Sequence, residues 1–151
     1  MLIAILIGTG TLVLNLAIQV AALVLVMRFL LRRLDTIPRR PDFVTEVWML
    51  GIVLAMLFAG HVLQFATWAF LFLAVREFAD FQTAFYHSVV NFTSLGYGDI
   101  VMSPRWRLLG ALEAANGILM FGLTTGGLLA LMSRLFALHS RKISAQDDDS
   151  S

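Results

Sequence analysis

The chain has 151 residues, 59% of them hydrophobic and 14% charged, with a mean hydropathy of +0.83. That is the composition of a membrane protein, not of a soluble enzyme domain. Its net charge of +1 gives no sign of a nucleic-acid partner, and the absence of cysteine excludes disulfides, thiolate zinc sites and thiol chemistry.

Residues 1–31 form an almost wholly apolar run, interrupted by Thr9, Thr11, Asn15, Gln19 and Arg28. The run is long enough to cross a bilayer with some tilt. A cleaved signal peptide is the competing reading, but no Lys or Arg precedes the run and the charges follow it, so a retained transmembrane helix is expected. No arginine recurs at every third position, as a voltage-sensing helix would require. Residues 32–43 then hold Arg32, Arg33, Arg39 and Arg40 close to Arg28, with Pro38 and Pro41 ending any helix there. The positive-inside rule makes this linker cytoplasmic and the N-terminus external, the arginines meeting lipid head groups.

A second span is expected over residues 44–75, with Trp48 and Trp68 suited to the two interfaces. His61 and Gln64 lie one turn apart within it, where lipid exposure is costly, so they should face protein. A neutral histidine hydrogen-bonded between helices is favoured over a pH-sensitive element. After a charged turn at 76–80, residues 81–92 read as a helix too short to span, with Asp80 as its N-cap. This helix should dip back from the outer face and aim its partly negative C-terminal end at the membrane centre, favouring a cation there.

Thr93-Ser94-Leu95-Gly96-Tyr97-Gly98-Asp99 follows. A dehydrated cation needs a substitute for its water shell, and backbone carbonyls turned toward one axis can provide it. Turning successive carbonyls the same way pushes alternate residues out of ordinary φ/ψ space, and Gly96 and Gly98 tolerate positive φ. Irregular backbone at this depth requires protein or water around it rather than lipid. The motif, preceded by a half-length helix and flanked by long apolar runs, resembles the selectivity filter of potassium channels. The resemblance implies that Thr93, Ser94, Leu95, Gly96, Tyr97 and Gly98 form the filter and that carbonyls of Ser94, Leu95, Gly96 and Tyr97 hold K+. Asp99 stands at the outer mouth, where carboxylates concentrate cations or brace the filter.

Residues 100–107 should form an outer turn anchored by Arg105, Trp106 and Arg107, before a third span at 108–138. Gly117 through Thr125 is similar to the inner helix of two-helix bacterial potassium channels, with their Gly-x-x-x-Phe-Gly-Leu-x-Thr run. That similarity implies a bend at Gly117 and a cavity lined by Ile118, Phe121 and Thr125, with Leu129 further in; the spacing puts these on one helical face. Close helix packing is expected at Gly126 and Gly127. Glu113 and Asn116 are costly in a membrane, and depth counting from Arg107 and Trp68 predicts that Glu113 contacts Gln64 or His61. Arg134, His139, Arg141 and Lys142 mark a cytoplasmic exit, followed by a tail at 139–151 whose last six residues read as disordered.

The similarity covers residues 44 to 138, with departures at three places. Leu95 stands where the family has Val or Ile. Val90 stands where some relatives have a glutamate that partners the outer aspartate. His87 replaces an aromatic residue expected to brace Tyr97. The whole points to an all-α membrane protein of three transmembrane helices plus a re-entrant pore helix and filter. It is expected to assemble as a homotetramer, without cofactor or enzymatic activity, in a bacterial inner membrane with lipid and K+ as partners. A non-selective cation channel and a nonconducting potassium-sensing subunit are the rival readings.

Overall fold

The computed structural model describes residues 1–33 and 43–148. Four helices account for most of them: α1 (Leu2–Arg33), α2 (Phe43–Ala74), α3 (Phe81–Phe92) and α4 (Arg107–Asp148). Arg39, Arg40 and the two prolines of the basic linker lie outside the described residues, as do residues 149–151 of the tail. Helices α1 and α2, and α4 from Arg107 to Ala130, are long and apolar enough to cross a membrane. At 1.5 Å per residue, the 12 residues of α3 cover about 18 Å and cannot.

The ends of α3 follow from local chemistry. Asp80 has extended backbone and caps the helix, accepting from the Thr83 amide at 2.9 Å and the Thr83 hydroxyl at 2.8 Å. These bonds hold the exposed Asp80 carboxyl below the usual carboxylate range. Upstream, α2 closes with paired bonds from Arg76 N to Leu73 O (2.9 Å) and from Glu77 N to Phe72 O (2.9 Å). This reverse turn needs a left-handed residue, and Arg76 supplies it at φ 57°. Glu77 then reaches across to accept from the amide and hydroxyl of Ser103, joining the two connections at this end of the molecule.

Helix α1 packs on α2 and α4, and α3 is wedged between α2 and α4. Gly8 meets Leu109 and Leu112, while Leu23 meets Gly127, so α1 runs parallel to the final helix. Lipid tails are as apolar as the helices, so close approach rather than water exclusion joins them, and small residues sit at the contacts. Gly60 faces Ala22 and Gly127 faces Leu23 in this way, whereas a β-carbon at Gly126 would meet nothing within 4 Å, so within one copy the close packing expected there is absent.

Two other expectations change. Trp68 does not turn its ring outward as an interfacial anchor would; it is fully buried beside Phe72, with ring centroids 5.9 Å apart, while Trp48 is exposed. Helix α4 also does not end near residue 138 but continues through the start of the expected disordered tail to Asp148. No Gly or Pro lies between Leu128 and Asp148 to stop it.

Candidate functional site

Between α3 and α4 the backbone leaves helical geometry for residues 93–99, and positive φ recurs at every second residue: 58° at Ser94, 57° at Gly96 and 73° at Gly98. The glycines were legible in the sequence; the serine was not, because a left-handed serine costs roughly 1–2 kcal/mol and carries no compositional mark. The amides of this stretch fold back on the end of α3. Ser94 N donates to Asn91 O at 2.9 Å, and Leu95 N and Gly96 N donate to Val90 O at 2.9 and 3.3 Å. Among the described residues, no N–H or O–H donates to the carbonyls of residues 94–98. Thr93 turns its hydroxyl to Val89 O at 2.7 Å. Leu95 and Tyr97 are 54% and 66% exposed.

Asp99 does have a brace, and its donor, Tyr86, is one that the sequence does not single out. The Tyr86 hydroxyl donates to Asp99 Oδ2 at 2.7 Å and holds that carboxyl below its usual range. His87 makes no bond to Tyr97 among the described residues. It packs between Phe72 and Phe78 at centroid distances of 5.5 and 4.9 Å and meets the Ile100 backbone.

Helix α4 holds the end of α3 at three points on one face, spaced three and four residues apart. Gly110 O accepts from Asn91 Nδ2 at 2.8 Å. Glu113 lies against Ser88 and Asn91, with Oε1 2.6 Å from Ser88 Oγ and Oε2 3.1 Å from Asn91 Nδ2. Gly117 abuts the Phe92 carbonyl so closely that a β-carbon there would come within 2.7 Å of the Phe92 carbonyl carbon. Close approach therefore accounts for a glycine at 117, and α4 runs unbroken through it.

The expected contact of Glu113 with Gln64 or His61 is absent. Those two belong to a separate, deeper ring: His61 Nδ1 to Gln64 Oε1 (3.3 Å), Gln64 Nε2 to Gln19 Oε1 (2.9 Å), Gln19 Nε2 to Thr124 Oγ1 (2.7 Å), and Thr124 Oγ1 to His61 Nε2 (3.1 Å). With the imidazole proton on Nδ1, His61, Gln64 and Gln19 each donate to the next, and the single Thr124 hydrogen is shared between His61 Nε2 and Met120 O, which lies 2.9 Å away. The His61 ring also lies 4.7 Å from that of Phe121. Further along α4, Ile118, Thr125 and Leu129 are exposed, Phe121 is partly so at 38%, and Asn116 is buried with no partner for its amide.

A family model described as "Ion channel" matches residues 52–134, more than half of the chain. The chain belongs to this ion channel family. The match takes in most of α2, all of α3, the 93–99 segment and α4 as far as residue 134. No curated protein and no solved structure matches the chain. Membership together with three apolar helices makes this ion channel an integral membrane protein and points to ion movement rather than catalysis.

Proposed function

We propose that the chain is a subunit of a potassium-selective channel in which four copies bring the 93–99 segment to a common axis and K+ passes down its electrochemical gradient. One observation carries the reading: left-handed backbone recurs at Ser94, Gly96 and Gly98, the amides of Ser94, Leu95 and Gly96 turn back to α3, and no donor among the described residues claims the carbonyls of residues 94–98. Alternating backbone handedness is what turns successive carbonyls to one side, and a ring of such carbonyls replaces the hydration shell of the ion. Ser94, Leu95, Gly96 and Tyr97 supply the ligating carbonyls, with Asp99 at the outer mouth. K+ is cargo here, and no cofactor is invoked.

The rest of the site fits this reading. The C-terminal end of α3, with its partly negative carbonyls, faces the approach to the segment. Ile118, Thr125 and Leu129 line the cavity below it, and Phe121 is shared between that cavity and the His61 ring. The N-terminus is external and the basic linker cytoplasmic, in a bacterial inner membrane, and α1 makes this a three-helix form of the pore. Flux from liposomes holding the purified protein tests the proposal. Potassium but not sodium should leave, and Gly96→Asp should abolish the flux; equal passage of both ions, or none from intact protein, would sink it.

A further inference from the structure

The Glu113 carboxyl is completely buried at the seam of α3 and α4, and the hydrogens around it can be counted. Ser88 Oγ lies 2.6 Å from Glu113 Oε1 and 2.9 Å from the Phe65 carbonyl oxygen. A serine hydroxyl has one hydrogen, and a carbonyl can only accept. When that hydrogen goes to Phe65, the hydrogen in the shorter contact has to come from Glu113. Asn91 uses its two amide hydrogens on Gly110 O (2.8 Å) and Glu113 Oε2 (3.1 Å). An ionised carboxylate would leave the set one hydrogen short; a neutral acid completes it.

The charges around the site agree. Among the described residues no cationic group faces the carboxyl: α3 offers Ser88 and Asn91, and α2 offers only the Phe65 carbonyl through Ser88. Helix α1 has no ionisable side chain before Arg28. His61 is engaged with Gln64 and Thr124, and His87 lies among Phe72 and Phe78. A buried, unpaired carboxylate is expensive in such surroundings.

We propose that Glu113 is held as a neutral carboxylic acid and acts as a positioning residue for the 93–99 segment. Its O–H donates to Ser88 and Ser88 donates to Phe65, fastening α4 to α3 and α3 to α2. The connection to the segment is short: Asn91, tied to Glu113 by its side chain, accepts from Ser94 N by its own carbonyl at 2.9 Å, and the adjacent Val90 carbonyl takes Leu95 N and Gly96 N. Removing the proton takes the Ser88 hydrogen away from Phe65 and loosens the end of α3 on which the segment hangs. That the segment is an ion filter rests on the reading above; the state of Glu113 does not.

Infrared spectra of the full-length protein in lipid test this directly. At neutral pH the wild type should show the C=O stretch of a buried, protonated carboxyl. Glu113→Gln should lack that band, and Ser88→Ala should shift it by removing its acceptor. Glutamine can donate to Ser88 and accept from Asn91, so Glu113→Gln should melt with the wild type at neutral pH and lose the fall in melting temperature that the wild type shows on alkalinisation. Absence of the band from folded wild type at neutral pH overturns the proposal, as does Glu113→Gln melting as low as Glu113→Ala. Neither readout measures potassium passage, so failure of the channel reading would be seen separately, in the flux experiment.

Discussion

A single methyl group at position 117 would occupy space already filled by the Phe92 carbonyl. Gly117→Ala should therefore cost about 3 kcal/mol through overpacking, seen as a lower midpoint of thermal unfolding. Gly51→Ala, at a position with no neighbour within 4 Å, should leave the midpoint in place; equal behaviour of the two variants would refute the close approach. At the other end of α3, the Asp80 carboxyl is held below its usual range by Thr83, so its capping contribution is present above the unfolded value and is lost as pH falls through the folded one. Asp80→Asn, still a good cap, should flatten the acid side of the stability profile, whereas Asp80→Ala should lower stability at neutral pH. An unchanged acid limb in the asparagine variant would assign that limb to another group.

The hydrogen-bonded ring of His61, Gln64, Gln19 and Thr124 joins α1, α2 and α4. Gln19→Leu or Thr124→Val leaves buried partners unsatisfied and should cost about 1–3 kcal/mol each, with the double variant costing less than the two together. Strict additivity in that cycle would show that the ring does not act as a unit. The helices themselves were legible in the sequence, because apolar run length, the basic break after Arg28, and the Asp80 cap each have a local cause. Partnerships across helices were harder. Depth counting pairs Glu113 with Gln64 or His61 only because it starts from Trp68 as the end of the span. In fact α2 continues to Ala74, so His61 is about 20 Å along it from that end while Glu113 is about 9 Å along α4 from Arg107. Ser88 and Asn91, three residues apart on α3, were the available signal for a polar face opposite Glu113. The Tyr86 brace on Asp99 could not be read from spacing, since it depends on how the irregular 93–99 segment folds back beside α3.

For the whole molecule, the bare Leu95 and Tyr97 side chains and the exposed face of α4 are what the proposed tetramer would cover. Cross-linking in native membranes should give a ladder ending at four copies; a ladder that stops at two would contradict the assembly. The ring bears on how the chain is made. Gln19 and Thr124 are 105 residues apart, so α1 is completed by a helix synthesised well after it. Until Thr124 has entered the bilayer, Gln19 and His61 each lack a partner, and polar side chains left facing hydrocarbon cost on the order of several kcal/mol. The same four residues that fasten α1 thus distinguish a polypeptide that has been extended through α4 from one whose translation stopped before it.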